Sequence, residues 1–121
     1  MKKHDWLTIK IKSEVNMKHV TNIYDELGWK KATGYPVGTR IKVLLDHNGS
    51  KTILLKLPAG FHMDSHTHIY NEQHVVLEGE YESEGKVFQS GTYRYIPSHK
   101  DHGPFASKSG AVIIVFWNTV Q

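Results

Sequence analysis

The chain has 121 residues and no cysteine. That absence excludes a disulfide scaffold, a thiolate metal site and a thiol nucleophile. Long hydrophobic runs are also missing. The longest apolar run, AVIIVFW at 111–117, has the length of a strand and falls far short of a membrane span. The amino terminus, MKKHDWLTIK, starts positive but has no apolar stretch behind it, so no secretory signal is expected and a cytoplasmic protein is. No phosphate-cradling loop, dinucleotide fingerprint or serine elbow occurs. The net charge is only +3, and the tight basic pairs are Lys2-Lys3 and Lys30-Lys31. Without a basic stripe interleaved with aromatics, nucleic acid is not an expected partner. The scattered lysines read instead as solvated strand edges.

What is present is mostly strand and turn. The length fits one domain with its own core. Residues 6–12, WLTIKIK, alternate, with Ile9 and Ile11 on one face and Thr8, Lys10 and Lys12 on the other. Runs at 40–45 and 52–57 flank Asn48-Gly49, a pair that tolerates positive φ and signals a hairpin. Residues 73–77 form the next run, closed by Glu78-Gly79, and a shorter hairpin turns at Glu84-Gly85. Gly91 opens a strand that stops at Pro97, and Ser109-Gly110 opens the last one, 111–117. Turn signals about every ten residues with β-rich runs between them predict an all-β sandwich or barrel. One segment differs. Val20, Ile23, Tyr24 and Leu27 have helical spacing and end at Gly28. They predict one short N-terminal helix, or an irregular arm that tucks Trp29 against the sheet.

Histidine is concentrated where a packed strand has no use for it. Four of nine histidines lie in GFHMDSHTHIYNEQHVVLEG, residues 60–79. His66 and His68 are two apart, so on extended backbone both side chains leave the same face and can share a divalent cation. Glu72 follows four residues later, where a turn can bring its carboxylate to the same point. Imidazole with carboxylate suits Fe, Mn, Ni, Co or Zn. A fourth candidate, His102, follows the strand that ends at Pro97.

Two spacings make a resemblance specific. Gly60, His66-x-His68, Glu72 and Gly79 stand at the fixed positions of the first motif of the cupin superfamily, and Gly91, Pro97 and His102 follow the second. The second motif departs from the family twice. His99 stands where a glycine is usual, and Ala106 where an asparagine is usual. Histidine tolerates the left-handed backbone better than a β-branched residue would. The lead-in GYPVGTRIKVLLDHNGSKTILLKLPAG, residues 34–60, is similar to that of small cupins related to anti-sigma-factor cupins and dihydroxyacetophenone dioxygenases. The resemblance implies a double-stranded β-helix barrel in a single domain, 1–121, with 1–39 as an N-terminal strand or arm and 40–121 as the barrel. It implies one divalent transition metal per chain, held by His66, His68, Glu72 and His102.

Other positions follow from parity. His74 shares a face with Glu72 and points inward, to support a ligand, touch substrate or pack as a core histidine. Tyr70 lies between the ligands and rims the pocket mouth, with His99 nearby. His74 and Tyr70 are the candidate catalytic residues. Tyr93 and Tyr95 alternate with Arg94 and Ile96, the tyrosines read as barrel packing and Arg94 as a solvated edge. The expected activity is a dioxygenase-type oxidation of a small diketone or hydroxyketone. The rivals are a non-catalytic metal or ligand sensor, whose relatives carry a helical partner-binding domain, and a sugar or uronate isomerase. The exposed edge of residues 6–12 predicts a homodimer that exchanges this strand.

Overall fold

The structure, a computed structural model, describes residues 19–118. Within them the chain is strand and turn, with nine strands: β1 (Lys30–Lys31), β2 (Arg40–His47), β3 (Ser50–Leu57), β4 (Phe61–Met63), β5 (Asn71–Ser83), β6 (Lys86–Gln89), β7 (Tyr93–Ile96), β8 (Phe105–Ser107) and β9 (Ala111–Asn118). The strand order is β1-β2-β3-β9-β5-β8-β4, with β6 and β7 also paired to β5. Every pairing is antiparallel. This is the all-β curled sheet that a double-stranded β-helix barrel requires. No helix among the described residues is long and apolar enough to cross a membrane.

The hairpins sit where the turn residues place them. Asn48 and Gly49 have φ of 47° and 80°, and Glu84 and Gly85 have φ of 54° and 76°. Two consecutive left-handed residues twist a two-residue turn in the sense that strands require.

β5 is the hinge of the fold. Its first part, from Asn71 to Gly79, pairs with β9, and β7 also pairs within that stretch. Its last residues pair with β6 and β8. The sequence suggested that this strand closes at Glu78-Gly79; instead it continues to Ser83. Gly79 bends the strand rather than ending it. Its φ is +71°, and a Cβ there would stand 2.0 Å from the Gly110 carbonyl oxygen. A register shift between Val76 and Glu78 adds to the bend.

Inside the curl, Ile53, Leu55 and Leu57 of β3 meet Ile113 and Val115 of β9, Val76 and Tyr81 of β5, Phe61 and Phe105. Each such buried side chain contributes about 1.5–3 kcal/mol relative to exposure.

Two expectations are corrected. No helix forms over residues 20–28. The Asn22 side chain accepts from the Tyr24 N–H and the Asp25 side chain from the Leu27 N–H, local bonds that compete with a helix. Val20, Tyr24 and Leu27 are exposed, so the apolar stripe has no surface to cover. The alternative, an irregular arm, is what the structure holds. Lys42 Nζ donates to the Asp25 carbonyl, and Arg40 lies over the half-buried Trp29 ring at 6.0 Å. The second correction concerns β7. Tyr93 and Tyr95 face outward and are more than half exposed, while Arg94 and Ile96 face inward. The 6–12 strand lies outside the described residues.

Candidate metal centre

The loop after β4 and the loop after β7 meet in a single antiparallel bridge. His66 N–H donates to the His102 carbonyl at 3.0 Å, and His102 N–H to the His66 carbonyl at 2.9 Å. The backbone therefore fixes two of the four sequence-selected residues side by side. His68 leaves the same face as His66 and is pinned by the His99 N–H, which donates to its carbonyl at 2.8 Å. His99 takes φ of 61°. A histidine thus occupies the left-handed turn where the motif usually has glycine.

Three imidazoles converge as a result. Ring centroids are 4.7 Å apart for His66 and His68, 4.4 Å for His66 and His102, and 5.0 Å for His68 and His102. Each ring offers a nitrogen within 4.8 Å of the others. Glu72, buried in β5, stands beside them. Its Oε1 is 3.5 Å from His68 Nε2, and its Oε2 is 3.8 Å from His102 Nδ1. The carboxylate is already held from elsewhere: Trp117 Nε1–H donates to Oε1, and His74 Nε2 lies 3.0 Å from Oε2.

The electrostatics keep these groups in ligand form. Burial works against ionisation of Glu72, but the hydrogen bonds from His74 and Trp117 and the charges of His74 and His102 outweigh it and hold the carboxyl at about 2. Burial pushes His102 down to about 4, aided by His66, His68 and His74 against the pull of Glu72. Burial likewise lowers His68. At neutral pH His68 and His102 therefore present lone pairs rather than positive charge. Tyr35 is pushed up to about 12 by burial and by Glu72, so its phenol stays protonated.

The donor set fits a divalent transition metal. His102 is buried, and neither of its ring nitrogens has a hydrogen-bond partner. Buried polar atoms are rarely left so. His66 Nδ1 faces the Asp64 carbonyl at 3.2 Å, which places its proton there and leaves Nε2 bare. A tripod of imidazoles beside an anchored carboxylate is nitrogen-and-oxygen ligation suited to Fe, Mn, Ni, Co or Zn.

A cleft of about 420 Å³ opens at His68, lined also by Tyr35, Asp46, Gly49, Lys51, Tyr70 and Trp117. Its size suits a small organic molecule. Tyr70, placed at the pocket mouth by its position between the ligands, is among the residues that line the cleft. His74 reaches Glu72 and Tyr81 rather than this cleft. Tyr35, Asp46 and Lys51 carried no functional signal in the sequence. The β2–β3 hairpin delivers Asp46 and Lys51 to the cleft, and only the folded barrel reveals that. His62, also within the 60–79 stretch, is exposed.

This curled sheet with histidines at one end defines a cupin, and the solved structures it resembles agree. An RmlC-like cupin from Shewanella frigidimarina is 20% identical with a TM-score of 0.67, covering 87% of this chain and 96% of that one. An acetylacetone dioxygenase from Acinetobacter johnsonii is 18% identical with a TM-score of 0.69, covering 85% and 78%. The anti-sigma ChrR, in complex with SigE from Rhodobacter sphaeroides, is 17% identical with a TM-score of 0.67, covering 98% and 67%. No curated protein sequence matches the chain. The family model for the ChrR cupin-like domain matches residues 17–121, and the chain belongs to that family.

Proposed function

We propose that the chain holds one divalent transition metal through His66, His68, His102 and Glu72 and oxidises a small diketone or hydroxyketone in the adjoining cleft. The observation that carries this reading is the convergence of three imidazoles, one with both ring nitrogens buried and unpartnered, beside a cleft of substrate size that opens at His68. A bound Fe(II) would supply oxygen activation, and any of the candidate metals would polarise a carbonyl. The protein's own groups do the rest. Three neutral imidazoles and one carboxylate leave a divalent site near +1, which favours an enolate or another anionic chelate. Lys51 adds positive charge at the cleft, and its Nζ lies 5.9 Å from the Trp117 ring centroid. Tyr35 and Tyr70 offer phenolic hydroxyls to substrate oxygens, and Trp117 forms an apolar wall. The likeness to the acetylacetone dioxygenase supports this substrate class.

A sensor is the second reading, favoured by the family match and by the likeness to anti-sigma ChrR over 98% of this chain. An isomerase acting on uronates would want several cations around the substrate, and Lys51 is the one cation lining the cleft among the described residues. Nitric oxide, an oxygen surrogate, separates the first two readings. The Fe(II)-loaded protein should bind it, acetylacetone should change the resulting spectrum, and oxygen should be consumed with at least one diketone or hydroxyketone. Absence of nitric oxide binding at full Fe(II) loading would remove the dioxygenase reading in favour of the sensor or a zinc-type isomerase.

A further inference from the structure

Behind Glu72 lies a line of polar side chains that the metal reading does not use. His74 Nε2 is 3.0 Å from Glu72 Oε2, and His74 Nδ1 is 2.8 Å from Tyr81 Oη. Arg94 Nη1 donates to Tyr81 Oη at 3.1 Å, and Arg94 Nη2 to Glu84 Oε2 at 2.9 Å. His74 and Tyr81 are buried in the core, Arg94 has only 12% of its side chain exposed, and Glu84 reaches solvent. The guanidinium lies over the Phe88 ring at 4.3 Å and is fixed there.

Donor chemistry gives this line one direction. A guanidinium can only donate. The Tyr81 oxygen therefore accepts from Arg94, and its single proton is free for His74 Nδ1. With Nδ1 accepting, the His74 proton sits on Nε2 and points at Glu72. If His74 carries both protons, Nε2–H still faces Glu72. Trp117 Nε1–H, also a donor only, takes the other carboxylate oxygen. One donor on each oxygen fixes the plane of the carboxylate beside the three histidines.

We propose that Arg94 is a remote positioning residue for the metal centre, acting through Tyr81 and His74 to orient the Glu72 carboxylate toward the ion. The inference rests on the metal reading above. It departs from a plain structural staple, in which the Arg94–Glu84 pair merely ties β7 to the β5–β6 hairpin. Outer partners that orient ligands typically change metal affinity 10- to 100-fold when removed.

The test uses the full chain and Co(II), with affinity read by competition against a chromophoric chelator. Tyr81→Phe and Arg94→Met should each weaken Co(II) binding about tenfold. Glu84→Gln, which breaks the ion pair but leaves the Arg94–Tyr81 bond, should stay within about twofold. Nitrogen-15 NMR of His74 gives a further readout: the wild-type ring should carry a proton on Nε2 facing Glu72, and Tyr81→Phe should shift the Nδ1 resonance, which loses its donor, while the Nε2 proton stays. A wild-type His74 with a bare Nε2 overturns the proposal, as does a Glu84→Gln loss equal to that of Arg94→Met. Wild-type protein that binds no Co(II) would sink the metal reading itself, while the His74 tautomer would still decide the direction of the chain.

Discussion

Replacing His102 by Leu should separate holding a metal from holding the fold. In the metal-free protein the imidazole is buried with an N–H and a lone pair that meet no partner. An unsatisfied buried polar group costs about 1–3 kcal/mol. Leu removes both. Against that stands an imperfect fit beside His66, at 4.4 Å between ring centroids, and Phe105, at 5.4 Å. A shape change of this kind costs less than about 1.5 kcal/mol. The backbone bridge to His66 survives, because it uses only the N–H and C=O of residue 102. The chelator-treated variant should therefore be as stable as the parent or gain about 1 kcal/mol in urea unfolding at pH 7. Metal at a hundred times its Kd should stabilise the parent by about 2.7 kcal/mol and leave the variant unmoved. A metal-free variant destabilised by more than about 2 kcal/mol would refute the reasoning, since His102 would then be a satisfied core residue.

Two further outcomes follow from the geometry. The folded pKa of His102, about 4, lies below its ordinary 6.5, so the unfolded chain takes the proton first and stability of the metal-free protein should fall as pH drops from 6.5 toward 4. The Glu72 carboxyl, held near 2 against an ordinary 4.5, extends the loss between pH 4.5 and 2. Each contributes at most about 3 kcal/mol, and a pH-stability profile of His102→Leu that keeps the upper segment would contradict the assignment. The alternating edge of residues 6–12 leads us to expect a homodimer. Light scattering should give twice the chain mass at micromolar concentration, with a deletion of residues 1–12 weakening association; a monomer in the parent would count against it.

Much of the centre was legible because cation ligation constrains residue type and spacing together. His66, His68, Glu72 and His102 stand out in the sequence through the two cupin motifs they match, and the structure gathers the three histidines with Glu72 beside them. The two hairpins were legible because Asn48-Gly49 and Glu84-Gly85 accept left-handed backbone. The phase of β7 was not. A period of two says that Arg94 and Tyr95 face opposite ways, but not which faces in. Ile96 is in register with Glu72 in β5, and the Tyr81 hydroxyl inside the barrel gives Arg94 an acceptor. The helical spacing of Val20 to Leu27 misled because spacing is not burial: the stripe is exposed, and Asn22 and Asp25 satisfy the backbone locally. The cleft was hidden because Asp46 and Lys51 of the β2–β3 hairpin meet Trp117, far along the chain, only through the β3–β9 pairing, which sets Lys51 opposite Trp117.

The most direct measurement is elemental analysis of protein purified without an affinity tag, in the parent and in His66→Ala, His68→Ala and His102→Ala. The parent should carry about one divalent transition metal per chain, and each variant should lose most of it while remaining folded by circular dichroism. A parent with no transition metal that also takes up none on incubation, or variants that hold as much as the parent, would contradict the assignment of this centre.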